Sequence, residues 1–296
     1  MASQRDVKNR IASVKNIQKI TRAMEMVAAA RLRRAEQRIA KLRPYAEAIR
    51  RMTYQAAEAA GAEARSLPLL SEHEKVERVG LLLITGDRGL AGAFNSQIIR
   101  AGVRAGTELN DEGLRSAWYA TGRRGVSSLT FRGRELSGSY TGFTDRPAYA
   151  DARGIADDLI SAYVDGSLDR VDIFYNAYVS PLTQHVTRAT LLPLSQSVIE
   201  NAQDDSAATP SALVEYEPGP EEILKRLVPD YVEISIYRAL IESTAGFFGA
   251  QMTAMRNASE NAGTLIEEYT LQMNRARQAE ITQEIMEVVA GAEGLN

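Results

Sequence analysis

The chain has 296 residues and an apolar fraction of 45%, enough for one large domain or two ordinary ones around a packed core, so disorder by composition is excluded. It has no cysteine, which excludes disulfides, zinc–thiolate sites and cysteine nucleophiles and fits a reducing compartment. No apolar run approaches the roughly 20 residues that span a bilayer. The net charge of −3 is unevenly spread: residues 1–60 hold 14 Lys/Arg and 5 Asp/Glu, whereas residues 230–296 hold 4 Arg and 10 Asp/Glu.

The first arm covers residues 1–60. It starts polar and basic, without the apolar core of a secretory signal, and its pattern runs unbroken into a helix, so it reads as mature protein. Apolar or small residues recur at Ile11, Val14, Ile17, Thr21, Met24, Ala28, Leu32, Ala35, Ile39, Leu42, Ala46, Ile49 and Thr53. After the opening turn the spacing alternates between three and four, which is a coiled-coil seam. Pro44 removes one backbone donor and is expected to bend this helix there, not necessarily to end it.

The middle, 75–200, alternates strands with helices. Val79–Ile84 is a continuous apolar run, hence a buried strand. The turn Gly86-Asp87-Arg88-Gly89-Leu90-Ala91-Gly92 follows, then a helix near 94–106 and a strand near 116–121. The chain to about 150 is rich in turn residues. A helix opened by Asp151 runs to about 165, and strands at 170–179 and 184–192 meet at Ser180-Pro181. This order predicts a Rossmann-like α/β domain, with a mostly parallel sheet and an antiparallel edge. Residues 201–229, acidic and rich in Pro and Gly, read as a linker.

The last arm, 230–296, has Asp230 as its expected N-cap. Its seam runs Ile234, Arg238, Ile241, Ala245, Phe248, Met252, Met255, Ser259, Ala262, Ile266, Tyr269, Met273 and Ala276, drifting to Ile281, Ile285 and Val288. Gly291 and Gly294 mark its end. At 1.5 Å per residue this helix is on the order of 90 Å long. It cannot bury its stripe alone, and the basic first arm is its natural antiparallel mate. The fold class is therefore α/β with a long antiparallel coiled coil made by the two ends of the chain. The final turns outlast the first arm, so their stripe needs another partner.

Catalytic signals are weak. The glycine turn after the first strand sits where a phosphate cradle would, but it is neither G-x-G-x-x-G nor a P-loop, and a tight strand-to-helix turn explains it as well. His73 and His185 have no metal-ligand spacing, and no Ser-His-Asp set or carboxylate pair can be nominated. No catalytic residue, cofactor or metal is expected. A nucleic-acid binder using Arg31, Arg33, Arg34, Arg38, Lys41 and Arg43 is opposed by the acidic middle and C-terminus. A nucleotide- or phosphate-binding α/β enzyme with a helical oligomerisation arm stays open as the alternative.

Three stretches together resemble the γ subunit of F-type ATP synthases, over essentially the whole chain. They are Arg10–Leu32 (RIASVKNIQKITRAMEMVAAARL), Thr85–Asn95 (TGDRGLAGAFN) and Asn274–Ala292 (NRARQAEITQEIMEVVAGA). The resemblance implies a bacterial, non-catalytic central rotary stalk. Its coiled coil would sit inside a hexamer of α and β subunits, and its globular foot would rest on the membrane c-ring with the ε subunit. The δ subunit would be an indirect neighbour, and the complex would be peripheral on the cytoplasmic side of the cell inner membrane. Met24, Arg31, Arg88, Gln283, Ile285 and Val288 are the candidates for partner contact. One departure stands out. Where the family shows Ser-Glu and then Arg-Met in the last helix, this chain has Gly246-Phe247 and Gln251-Met252, which puts any polar partner contact there in doubt.

Overall fold

The computed structural model describes residues 4–61, 63–194 and 217–293. Its elements run α1 (Gln4–Ala60), β1 (Arg78–Ile84), α2 (Phe94–Asp111), β2 (Arg115–Thr121), α3 (Arg123–Phe131), β3 (Leu136–Tyr140), α4 (Tyr149–Val164), β4 (Arg170–Tyr178), β5 (Gln184–Leu192) and α5 (Pro220–Glu293). Two compact units are formed, one by Ala30–Ala250 and one by Met1–Ala29 with Gln251–Asn296.

The larger unit is built on a five-stranded sheet of order β3-β2-β1-β4-β5. β1 pairs in parallel with β2 and β4, β2 in parallel with β3, and β4 antiparallel with β5. After the exposed Arg78, β1 is apolar because both of its faces are covered. Leu82 and Ile84 join a core with Ile155 and Leu159 of α4, Ile49 and Ala56 of α1, and Leu224, Val232 and Ile236 of α5. On the other face α2 lies close enough that a Cβ on Gly102 or Gly106 would overlap Leu83 or Trp118. Small residues on α5 do the same work for the β4–β5 hairpin: a Cβ on Gly249 would stand 2.9 Å from the Pro181 carbonyl oxygen.

Several boundaries differ from expectation. α5 begins at Pro220, ahead of Asp230, and contains Pro229. Burial of Leu224, Leu227 and Val228 offsets the backbone donor lost at that proline. The stretch expected to be turns holds α3 and β3, the latter a half-exposed edge strand without an apolar run. α1 passes through Pro44 unbroken. The acidic stretch 195–216 and Gly294 lie outside the described residues.

In the smaller unit α1 and α5 run antiparallel. The hydroxyls of Thr21 and Ser259 are 2.6 Å apart, the Gln18 amide donates to the Ser259 carbonyl at 3.2 Å, and Arg256 Nε donates to Glu25 at 2.9 Å. The seam is displaced by one position at its polar centre. Ile17, expected inside, is 53% exposed, and Gln18 takes its place. Gly263, having no side chain, leaves Gln18 the room to approach. Val7, absent from the expected seam, is buried beside Ile11. In the larger unit Arg238, also expected in the seam, is turned outward and pairs with Glu242 one turn on. A Thr21→Cys/Ser259→Cys pair is expected to oxidise to an intramolecular disulfide. Thr21→Cys/Arg275→Cys is expected not to, and the reverse result on a non-reducing gel contradicts the antiparallel register.

Candidate functional site

In open α/β sheets, ligands bind outside the carboxyl ends of the strands where the strand order reverses. Here that point lies between β1 and β4, and the chain's own side chains fill it. The Asn176 N–H donates to Ser243 Oγ of α5 at 3.2 Å. Phe247 of α5 lies against Gly86, its ring 3.1 Å from where a Cβ would stand, and packs edge-on to Phe94 and Phe248. The position where the family resemblance calls for an acid is thus internal packing in this chain.

The glycine turn holds an internal anion of its own. The Asp87 carboxylate, only 6% exposed, accepts the N–H of Arg123 at 3.1 Å, of Gly142 at 3.0 Å and of Thr144 at 3.2 Å, together with the Thr144 hydroxyl at 2.8 Å. These donors come from the start of α3 and from the β3–α4 connection, so the carboxylate ties the turn to both of them, while the turn's own Gly86 and Asp87 N–H groups donate to Asn95 Oδ1 and Thr144 Oγ1 at 2.8 Å. Burial pushes the Asp87 pKa up, but hydrogen bonds from Gly142, Thr144 and Arg123 outweigh it and hold the carboxyl below its usual value. At the start of α3 the Gly125 N–H donates to Thr85 Oγ1, and Thr85 Oγ1 donates to the Thr121 carbonyl. Gly122, at φ +79, is required here, since a Cβ would meet the Thr85 carbonyl oxygen at 2.3 Å. The turn's outer edge presents Arg88 and Leu90, both about two-thirds exposed, with Leu90 held at φ +61. A leucine in that region of backbone space is strained.

The sequence-predicted residues fall into three places. Arg31 and Arg88 come together at Asp145 of the β3–α4 connection, whose Oδ2 is 3.2 Å from Arg31 Nη1 and 3.3 Å from Arg88 Nε. Met24 is half-buried along α1 of the smaller unit. Gln283, Ile285 and Val288 are exposed on the last turns of α5, where the Gln283 amide donates to Glu287. From the Thr21–Ser259 contact, antiparallel helices rising 1.5 Å per residue bring Gln4 abreast of about Ala276. Beyond it Ile281, Ile285, Met286, Val288 and Val289 are all exposed, Val288 to 73%. Asp145 and Thr144 were missed by sequence reasoning; a Thr-Asp pair in a turn-rich stretch is an unremarked pattern. His73 is held by Asp169 at 2.8 Å and stacks on Tyr163, a structural role.

A filled crevice, a glycine turn tied down by its own carboxylate and exposed apolar turns at a helix end are the features of a protein that presents surfaces to partners. The chain matches the profile of the ATP synthase family over residues 3–295. It is 43% identical to the ATP synthase gamma chain of Rubrobacter xylanophilus over 296 residues, covering 100% of this chain and 99% of that one. It is 42% identical to the gamma chain of Frankia casuarinae over 301 residues, with the same coverage. Its fold is shared with a chain of the Euglena gracilis mitochondrial ATP synthase OSCP/F1/c-ring structure (TM-score 0.68, 16% identity, 99% and 94% of the two chains). It is also shared with one in the Tetrahymena thermophila central stalk/c-ring structure (TM-score 0.61, 24% identity, 81% and 99%). The chain belongs to the ATP synthase gamma-chain family. It is a stalk subunit of that rotary complex and not itself a catalytic one. Among the described residues no helix is long and apolar enough to cross a membrane.

Proposed function

We propose that the end of α5 and the β1–α2 turn are the two surfaces through which this stalk acts on a hexamer of α and β subunits. The exposed stripe Ile281–Ile285–Val288 seats in an apolar socket of that hexamer, and Gln283 lies beside it. Arg88 and Leu90 meet an acidic, partly apolar surface of a catalytic subunit, and Met24 lies on the helix face that turns within the hexamer. The sheet-bearing unit rests on the c-ring with ε, δ being an indirect neighbour, at the cytoplasmic side of the inner membrane. The observation that carries this reading is the apolar stripe exposed on the last turns of α5.

Mechanically, such a shaft favours one state of a catalytic subunit over another only by touching them unequally. A tenfold difference in nucleotide affinity needs about 1.4 kcal/mol of differential contact. Three exposed side chains, each contributing roughly 1.5–3 kcal/mol when buried, are sufficient for that. Proton flow turns the ring and the shaft, and the shaft's asymmetry takes each catalytic subunit through its states in order.

The isolated chain is expected not to hydrolyse ATP, because α5 fills the crevice and the glycine turn lacks the Gly-Lys-Ser/Thr of a P-loop. Steady turnover by rigorously pure chain would support the nucleotide-binding enzyme instead.

A further inference from the structure

The short segment Thr144–Pro147, between β3 and α4, touches three separate parts of the larger unit. It reaches α1 twice: Asp145 pairs with Arg31, and Arg38 Nη2 donates to the Pro147 carbonyl. It reaches α5 through Thr244, whose hydroxyl donates to the Thr144 carbonyl at 2.9 Å. It reaches the β1–α2 turn through Arg88 on Asp145 and through the Asp87 carboxylate on Thr144. The Arg31 guanidinium is held over the Phe248 ring of α5 at 5.5 Å, so one cation joins Asp145, α1 and α5.

We infer that this segment is a mechanical joint, with Asp145 as its positioning residue, that holds the β1–α2 turn in fixed orientation to the parts of α1 and α5 packed on the sheet. The inference rests on the stalk function and deepens it: when the helices turn, Arg88 and Leu90 turn with them. The exposures decide against a stabilising role. The Arg31, Asp145 and Arg88 side chains are 41%, 26% and 64% exposed, and ion pairs at that exposure contribute little to stability. Their geometry is nevertheless specific, with a single carboxylate oxygen serving two guanidiniums that come from different elements. Arg31, nominated from sequence as a partner contact, is thereby assigned an internal role.

The test uses the complete complex reconstituted in vesicles, with Asp145→Ala and Asp145→Glu placed in this chain. Proton pumping per ATP hydrolysed is read alongside the melting temperature of the free chain. Asp145→Ala is expected to lower pumping per ATP about threefold while the melting temperature stays within roughly 3 °C. Asp145→Glu, which keeps the charge, is expected to recover most of the loss. Raising ionic strength is expected to bring the parent's pumping per ATP toward that of Asp145→Ala, and to change Asp145→Ala little. Pumping per ATP equal to the parent's in Asp145→Ala overturns the joint. So does a melting temperature that collapses along with pumping, because Asp145 is then a folding residue. If the parent chain itself fails to restore pumping to a complex lacking its stalk, the stalk reading fails first, whatever Asp145 does.

Discussion

Asp87→Ala is expected to destabilise the sheet-bearing unit by about 3–5 kcal/mol, because it orphans several donors at once. The carboxylate binds the N–H groups of Arg123, Gly142 and Thr144 and the Thr144 hydroxyl, and it is almost wholly buried. Hydrogen bonds to a charged acceptor contribute roughly 1.5–3 kcal/mol each; water can replace the carboxylate at the exposed Arg123 and Gly142 N–H groups but less readily at the half-buried Thr144 donors. At about 2–4 °C per kcal/mol, a loss of ~3 kcal/mol lowers the midpoint of thermal unfolding by roughly 6–12 °C. The pH dependence follows from the depressed pKa. A carboxyl held below its unfolded value contributes stability that is complete above about pH 4 and fades as pH falls through the folded-state pKa. Asp87→Asn, which cannot titrate, is therefore expected to be less stable at neutral pH and to lose less between pH 5 and 3 than the parent. Circular dichroism melts across that range check both. An unchanged melt at pH 7 contradicts the idea that this carboxylate fills the turn.

Ile285→Asp is expected to act in the opposite manner, with a large effect on the assembled complex and almost none on the free chain. Ile285 is 57% exposed on a stretch of α5 whose neighbours 281–290 are all exposed, so no core of this chain loses a contact. In an apolar socket the change removes roughly 1.5–3 kcal/mol of burial and adds an unpaired charge facing apolar groups. The expected outcome is a free chain melting within about 2 °C of the parent, as for surface substitutions generally, together with poor assembly or uncoupled ATP hydrolysis. A large drop in melting temperature with intact pumping means the stripe is internal core, and the socket does not exist.

These two sites were legible in the sequence to different degrees. The stripe at the end of α5 could be read because helical spacing alone puts Ile281, Ile285 and Val288 on one side, and all three are exposed. β1 could be read because a strand covered on both faces is apolar without interruption. β3 could not: Leu136-Ser-Gly-Ser-Tyr140 has no apolar run, and it becomes a strand only because β2 offers it an edge. The start of α5 was hidden by Pro229, whose helix penalty is local while the compensating burial of Leu224 and Val228 is tertiary. The exchange of Ile17 for Gln18 depends on Ser259 and Gly263, which are remote in sequence. The joint at Asp145 was invisible for the same reason. Arg31 and Arg88 were each singled out for charge and family pattern, yet only the folded chain shows that they share one carboxylate.

The role of Phe247 shows how one departure can change a site. An acid against Gly86 and Phe94 would be a buried charge beside apolar rings; phenylalanine closes the crevice instead. The contact between α5 and the glycine turn is therefore apolar in this chain, and salt is expected to leave it intact while it weakens the Arg31–Asp145–Arg88 bridge.

The most direct test of the stalk account is to watch the chain turn. The absence of cysteine allows one to be introduced alone, and Phe131 on α3, 93% exposed, is a position where a label disturbs no packing. With Phe131→Cys labelled and the complex immobilised through its hexamer, ATP hydrolysis is expected to drive the label round continuously in one direction. Full hydrolysis with a stationary label would contradict the account.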